Sequence, residues 1–220
     1  YTANETIGGL EFPYIPSTGN VPLVSDMSSN FLSKPVDVSR HDLIYASAQK
    51  NFGPPGFHVV IVRKDLLGHA PKGTPSLDDY SVHAKGESRY NTPNTVAWYV
   101  AGLVFEWIEQ QGGLEAMAER NKAKAETLYR FIDGSDFYRN PIEPTHRSRM
   151  NVPFILTVPE EAERTRLEKM FVGEAGEAGL VGLEGHRSVG GMRASIYNAM
   201  PEDGVEALVA FMKEFERRHG

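Results

Sequence analysis

The chain has 220 residues, of which 40% are apolar and 10% aromatic, enough to bury one large core or two small ones. Its net charge of −6, without blocks of like charge, argues against a surface that binds nucleic acid or an anionic membrane. Because the chain has no cysteine, it can form neither disulfides nor thiolate metal sites, which fits a cytoplasmic protein. Its longest apolar run, residues 96–105, is shorter than the about 20 residues that cross a bilayer.

Short apolar runs dominate the first part of the chain. Residues 21–25, 43–47 and 57–63 are separated by Ser, Pro, Gly and Asn, and they predict buried strands. Strands that are apolar on both faces need covering helices, yet no convincing amphipathic helix precedes Pro93. Either the covering helices are missing from this chain, or the strand interpretation is wrong. Residues 68–90 are polar and rich in Gly, Pro and Ser, which predicts a long irregular loop.

Helical patterns dominate the rest of the chain. Thr92 and Pro93 predict the N-cap and first position of a helix that runs to about Gln111, is apolar nearly all round, and should be deeply buried. The elements predicted after it are a helix at 114–132, a strand at 150–157, a helix at 160–178, a strand at 192–197 and a helix from Pro201. We expect an α/β protein in which residues 1–118 belong to a large domain with a mostly parallel sheet. Residues 119–220 should form a small α+β domain.

The segment SAQKNFGPPG, residues 47–56, places Lys50 between a short buried strand and a Gly/Pro loop. Ligands bind at the carboxyl ends of strands in open α/β sheets, and a lysine held there can become a Schiff-base nucleophile. The alternative is an ordinary solvated loop lysine.

Asp26 follows the preceding predicted strand, so parallel neighbouring strands would place Asp26 and Lys50 at the same edge of the sheet. Pyridoxal phosphate needs a lysine for its aldehyde and a carboxylate for its ring nitrogen. The alternative for Asp26 is a turn cap formed with the serines that follow it. Together the two residues favour the cofactor.

Six segments resemble, in the same order, the phosphoserine aminotransferases of the class V aminotransferase family. They are NET (4–6), DMSS (26–29), SAQKN (47–51), YNTP (90–93), RSRMNVPF (147–154) and GHRSVGGMRAS (185–195). The resemblance extends over essentially the whole chain. It implies the fold type I architecture of pyridoxal-phosphate enzymes, in which a mostly parallel large domain is followed by a small α+β domain.

The resemblance also implies how the chain holds pyridoxal phosphate. Lys50 would bind the cofactor as a Schiff base and move the proton between the substrate α-carbon and the cofactor. Asp26 would bind the pyridine nitrogen, Thr6 the phenolic oxygen of the ring, and Gln49 the cofactor phosphate. The reaction implied is amino-group transfer between glutamate and 3-phosphohydroxypyruvate, which gives phosphoserine and 2-oxoglutarate in serine biosynthesis.

The remaining implied residues bind the other subunit's cofactor or the substrate. Asn91 and Thr92 would reach the cofactor phosphate of the other subunit in a homodimer. Arg193 would hold the substrate α-carboxylate, and His186 with Arg187 would hold the substrate phosphate. Each has an ordinary alternative, since Asn91 and Thr92 could cap a helix and arginines are usually solvated. The other histidines show no metal-ligand spacing, so no metal site is predicted.

The sequence departs from the family pattern at its start. It begins just before the strand that carries Asp26, so we expect about two fifths of a full-length enzyme to precede it. These residues alone should then be catalytically incompetent. The alternative functions are another class V enzyme, such as an aminotransferase or a cysteine desulfurase, and a noncatalytic module that docks a partner through residues 96–108.

Overall fold

The computed structural model describes residues 1–220 and separates them into two compact units. The first unit contains Tyr1–Ala3 and Tyr14–Leu114, and the second contains Asn4–Pro13 and Glu115–Gly220. The chain passes from the first unit to the second for the last time between residues 114 and 115, four residues before the predicted domain boundary. That boundary stays a prediction. No helix of the chain combines the length and the apolar character needed to span a membrane.

The strands and α-helices are numbered in chain order. The strands are β1 (Asn4–Glu5), β2 (Leu10–Glu11), β3 (Val24–Asp26), β4 (Leu43–Ser47), β5 (His58–Val62), β6 (Tyr138–Arg139), β7 (Asn151–Leu156) and β8 (Met192–Ser195). The helices are α1 (Tyr80–Lys85), α2 (Thr95–Gln110), α3 (Gly113–Asp133), α4 (Glu161–Glu177) and α5 (Glu202–His219).

The first unit contains a sheet in the order β3-β4-β5. Strands β3 and β4 are parallel, with Asp26 opposite Tyr45, which confirms the predicted parallel pairing. Strands β4 and β5 are antiparallel, with Ser47 opposite His58, so the sheet within this chain has one pair of each kind. The three strands predicted from the apolar runs are present, although the first covers Val24–Asp26 rather than residues 21–25.

Strand β4 packs on the core through alternate residues only. Ile44 and Ala46 are buried, whereas Tyr45 between them is 37% exposed. Ile44 packs with Ala3 and Met27, and Ala46 packs with Ala48 and Phe52. The strand interpretation is therefore right, and the other face of the sheet has no covering helix within this chain, which is the first of the two alternatives.

The loop predicted at residues 68–90 contains two short helices, a 3₁₀ turn at Ser76–Asp78 and helix α1. The sequence pattern missed α1 because six residues show almost no helical periodicity. Its signal was local: the Asp79 side chain accepts a hydrogen bond from the Ser81 amide at 2.8 Å and caps the helix.

Helix α2 begins later than predicted and is less buried. Asn94, not Thr92, is its N-cap, because the Asn94 Oδ1 accepts from the Ala97 amide at 3.2 Å, and Pro93 lies outside the helix. Only Ala97, Ala101 and Ile108 are buried. The prediction of deep burial was wrong: the apolar residues more than a third exposed are Val96, Trp98, Tyr99, Leu103 and Phe105.

The second unit is built around the antiparallel sheet β6-β7-β8 and the β1-β2 hairpin. A single hydrophobic core joins buried residues from α3, the sheet, α4 and α5. In α5, Val205, Leu208, Met212 and Phe215 are buried and Phe211 is half-buried, because their spacing places them on one face of the helix. The helices and strands predicted after residue 113 agree with the structure to within about two residues at each end.

Candidate active site

Asp26 and the Lys50 segment lie at the same edge of the first unit's sheet. Asp26 is the last residue of β3, and Gln49 and Lys50 follow the end of the parallel strand β4. The Ser47 amide donates to the Ser28 hydroxyl at 3.1 Å, which ties the end of β4 to the turn after β3. The structure therefore places Asp26 and the turn that carries Lys50 at one edge of the sheet, as the sequence predicted.

The Asp26 side chain is also part of a turn. Its Oδ1 accepts a hydrogen bond from the Ser28 amide at 2.8 Å, so the predicted alternative of a cap with the following serines is correct as geometry. The carboxylate is only half-buried. Tyr45 lies across from it, and burial, followed by the negative charge of Asp26, raises the pKa of Tyr45. A carboxylate that caps a turn can still offer its other oxygen to a ligand.

The turn that carries Lys50 is fixed by its neighbours. The Ala48 carbonyl accepts hydrogen bonds from the amides of Phe52 and Gly53 at 3.2 Å and 3.0 Å. Ala48 and Phe52 are fully buried, whereas Lys50 is half-buried and Gln49 is exposed. Because the buried residues hold the turn, Gln49 and Lys50 are presented at the edge of the sheet on a rigid support.

Asn91 and Thr92 lie in the exposed segment before α2. Since Asn94 caps that helix, neither residue is its N-cap, and the alternative interpretation of Asn91 and Thr92 as a helix cap is wrong. Asn91 and Thr92 keep their side chains at the surface of the first unit.

Thr6 and Arg193 meet in the second unit. The turn between β1 and β2 is held by the Glu5 carboxylate, which accepts from the amides of Ile7 and Gly8 at 2.8 Å and 2.6 Å. Thr6 lies in this turn, and its carbonyl accepts a hydrogen bond from Arg193 Nη1 at 3.3 Å. Gly9, with φ +72°, packs so closely on Pro153 of β7 that an added Cβ would overlap the proline ring.

The Arg193 guanidinium has one paired and one unpaired nitrogen. Its Nη1 faces the Thr6 carbonyl, while its Nε is buried and has no hydrogen-bond partner. Two other arginines show what the Nε–Nη2 edge does: Arg166 donates from it to Glu163 at 2.7 Å and 2.6 Å, and Arg217 does the same to Glu214 at 2.8 Å and 2.7 Å. The arrangement of Arg193 therefore fits a bidentate carboxylate.

His186 and Arg187 lie in a closed loop before β8. The Gly185 amide donates to the Gly191 carbonyl at 2.9 Å, and a Cβ at Gly185 would overlap the Gly190 carbonyl, so only glycine fits there. Arg187 is exposed and forms no ion pair. A cation without a carboxylate partner, held on a closed loop, is suited to an external anion.

The comparisons with known proteins identify the family of the chain. The profile of the Aminotransferase class-V family matches residues 3–208. The chain belongs to the class-V aminotransferase family. A relative named phosphoserine aminotransferase from Azotobacter vinelandii is 61% identical over 220 residues, which are 100% of this chain and 59% of that protein. The phosphoserine aminotransferase from Pseudomonas aeruginosa strain LESB58 is 60% identical over the same shares.

Solved structures give the same result for the fold. The phosphoserine aminotransferase from Bacillus circulans subsp. alkalophilus matches with a TM-score of 0.94 and 48% identity, over 100% of this chain and 59% of that one. The pyridoxal-phosphate-bound phosphoserine aminotransferase from Trichomonas vaginalis matches with a TM-score of 0.91 and 46% identity, over 97% and 59%. The expected fold type I architecture is confirmed. The chain spans about three fifths of the length of these class-V relatives.

Sequence reasoning missed a buried hydrogen-bond network in the second unit. Asn151 is fully buried on β7, where it accepts from Asn4 Nδ2 at 3.1 Å and donates to the Tyr197 hydroxyl at 2.9 Å. This network fixes the β1-β2 hairpin, and with it Thr6, against the sheet that carries Arg193. The available signal was an asparagine at the start of an otherwise apolar strand, which requires buried hydrogen-bond partners.

Proposed function

We propose that the protein containing this chain is a pyridoxal-phosphate-dependent phosphoserine aminotransferase. It transfers the amino group between glutamate and 3-phosphohydroxypyruvate, giving phosphoserine and 2-oxoglutarate. The observation that carries the proposal is the parallel pairing of β3 and β4, which puts Asp26 and the turn bearing Lys50 at one edge of a sheet. The names of relatives at about 60% identity support the choice of substrate.

The side chains present fit the cofactor. Asp26 offers a carboxylate for the pyridine nitrogen, and Lys50 offers the amine that binds the aldehyde and then takes or gives the proton at the substrate α-carbon. Gln49, Asn91 and Thr92 offer neutral hydrogen-bond donors for its phosphate. When bound, pyridoxal phosphate supplies the electron sink for the negative charge that develops on the α-carbon.

The second unit supplies groups for the anionic ends of the substrate. The Nε–Nη2 edge of Arg193 holds the α-carboxylate, because Nη1 is already directed by the Thr6 carbonyl. His186 and Arg187 hold the phosphate. Only these contacts can separate phosphohydroxypyruvate from other keto acids, since the cofactor chemistry is common to many aminotransferases.

Two further assignments complete the proposal. The protein is a homodimer, in which Asn91 and Thr92 of one subunit serve the site of the other; their exposed side chains, unused by the α2 cap, support this role. The protein acts in the cytoplasm, as we infer from its resemblance to phosphoserine aminotransferases.

The test is to fix the cofactor on its lysine. The protein containing these residues, isolated with pyridoxal phosphate, should be yellow and should lose its colour on borohydride reduction. Peptide mass spectrometry should then find the pyridoxyl group on Lys50. A Lys50→Arg variant should carry no label, whereas the control Lys64→Arg, at an exposed 3₁₀ turn, should be labelled like the wild type. Label on a different lysine would refute the assignment.

A further inference from the structure

The imidazole of His186 is held by its own loop through one nitrogen. His186 Nδ1 lies 2.7 Å from the Ser188 hydroxyl and 3.2 Å from the Ser188 backbone nitrogen. A backbone N–H can only donate, so Nδ1 must accept with its lone pair. In the neutral ring the proton is then on Nε2, and the Ser188 hydroxyl is a second donor to Nδ1.

The backbone of His186 is equally fixed. Its carbonyl accepts hydrogen bonds from the amides of Val189 and Gly190, both at 2.9 Å. The loop is closed by the bond between the Gly185 amide and the Gly191 carbonyl. Both the ring and the main chain of this histidine are thus oriented before any ligand arrives.

His41 shows the opposite arrangement in the same chain. Its Nδ1 lies 3.1 Å from the Asp37 carbonyl oxygen, which can only accept, so Nδ1 carries the proton there. Its Nε2 then accepts from the Tyr1 hydroxyl at 3.3 Å. The two histidines are therefore expected in different tautomers, because Nδ1 faces a carbonyl oxygen in His41 and a backbone N–H in His186.

We propose that Ser188 is a positioning residue that holds His186 as its Nε2–H tautomer, so that Nε2 donates a hydrogen bond to a phosphoryl oxygen of the substrate. The proposal rests on the proposed function and deepens it. The neutral ring can serve as the donor, while Arg187 beside it supplies the positive charge. In the other tautomer, the Nε2 lone pair would face the lone pairs of the phosphate and bind it poorly.

The first measurement reads the tautomer directly. The protein is labelled with ¹⁵N-histidine and its ring nitrogens are observed at a pH above the histidine titration range, about 8.5. A His186→Gln variant and a His41→Gln variant identify the two signals. His186 should show a protonated Nε2 and His41 a protonated Nδ1. A protonated Nδ1 at His186 overturns the proposal, whatever the enzyme's activity.

The second measurement separates positioning from general structure. Ser188→Ala keeps the backbone amide that fixes the tautomer but removes the hydroxyl that holds the ring, so KM for phosphoserine should rise about three- to tenfold. The reaction with alanine, which has no phosphate, should be unchanged. Ser188→Thr should restore the wild-type value because it keeps the hydroxyl. The matched control is Thr145→Ala, which removes a hydroxyl 2.9 Å from His146 Nδ1 and should change neither reaction. Equal slowing with both amino acids overturns the proposal.

The two measurements keep this inference apart from the proposed function. An enzyme with no activity on phosphoserine refutes the proposed function, and the tautomer of His186 then decides the inference on structure alone. A protonated Nε2 together with a phosphate-specific effect of Ser188→Ala is the outcome that supports both.

Discussion

At the scale of single residues, one carboxylate can cap a turn and also bind a cofactor. Asp26 uses Oδ1 for the Ser28 amide, and an asparagine at this position has an Oδ1 that can accept the same bond. The charge, rather than the local fold, is what an Asp26→Asn substitution removes. This makes the substitution a clean test of the electron-sink role.

We expect Asp26→Asn to bind pyridoxal phosphate and to turn over at least about a hundredfold more slowly, because the amide cannot stabilise a protonated ring nitrogen. Absorbance of the bound cofactor and single-turnover rates measure the two effects. The matched control is Asp37→Asn, since Asp37 caps the Ser39 amide at 3.1 Å in the same way on an exposed turn. If both variants keep wild-type turnover, Asp26 is only a cap.

The sequence could predict the Asp26–Lys50 pair because strand ends in a parallel sheet share an edge. It could not predict which nitrogen of Arg193 is already paired, because that depends on the Thr6 carbonyl, 187 residues away along the chain. The tautomer of His186 was equally out of reach, since it depends on which ring nitrogen faces a backbone amide. Sequence patterns carry the position of a side chain but not its hydrogen-bond partners.

At the scale of elements, α3 holds a buried lysine on its apolar face. Lys124 is 1% exposed and lies in line with Met117 and Leu128 at helical spacing. Its Nζ donates to the carbonyl oxygens of Ile196, Tyr197 and Met200, at 3.1 Å, 2.8 Å and 3.0 Å. All three ammonium donors are therefore used to fasten the segment after β8 to α3.

Burial lowers the pKa of Lys124 from 10.5 to about 8. At neutral pH the side chain is still an ammonium in the folded protein. Between pH 8 and 10.5 the unfolded chain binds more protons than the folded one, so this group makes the protein more stable as pH rises through that window. Below pH 8 the lysine is charged in both states, and its contribution no longer changes with pH.

Lys124→Met should lower the free energy of unfolding at pH 7 by about 2–4 kcal/mol, because three carbonyl groups lose their donor. The difference in unfolding free energy between the variant and the wild type should be larger at about pH 9.5 than at pH 7, because only the wild type gains stability between these pH values. Urea unfolding at both pH values measures it. Lys122→Met, on the same helix, should change stability by less than about 0.5 kcal/mol. A difference that stays constant with pH would contradict the pKa argument.

The helices of the second unit and its strands β7 and β8 followed from the sequence because each buries a regular set of apolar side chains within that unit, whereas β1, β2 and β6, of two residues each, were not predicted. Helix α5 alternates its buried and exposed faces as its periodicity predicts. The start of α2 did not follow, because Thr92 with Pro93 and also Asn94 match the residue preferences of helix caps. Asn94 is the N-cap because its Oδ1 accepts a hydrogen bond from the Ala97 amide. When two neighbouring residues both have the side chain of a good N-cap, residue preferences do not tell which one forms the capping hydrogen bond.

At the scale of the whole molecule, the proposed homodimer makes a quantitative prediction. Subunits with Lys50→Ala are mixed with subunits carrying Asn91→Ala and Thr92→Ala, each inactive alone. In a two-fold dimer that shares its sites, each mixed dimer regains one intact site of two, so random exchange should restore about a quarter of wild-type activity. Lys50→Ala subunits mixed with themselves are the control. No recovery after exchange verified by native mass spectrometry would contradict shared sites.

The exposure of α2 shows that the sequence of a helix does not determine how far its neighbours cover it. Its sequence is apolar nearly all round, yet Val96 is 73% and Tyr99 70% exposed within these 220 residues. Periodicity tells which face of a helix is apolar, but burial also requires a surface that covers it. The prediction failed on that second requirement.

The β1-β2 hairpin makes the second unit discontinuous along the chain. Residues 4–13 supply Asn4 to the Asn151 network and Gly9 to the surface of β7, although all other residues of that unit follow position 114. The second unit therefore cannot be formed from a single continuous segment of the chain. A recombination event that exchanged residues 115–220 as one block would separate the hairpin from the strand it fits, so the two segments are constrained to evolve together.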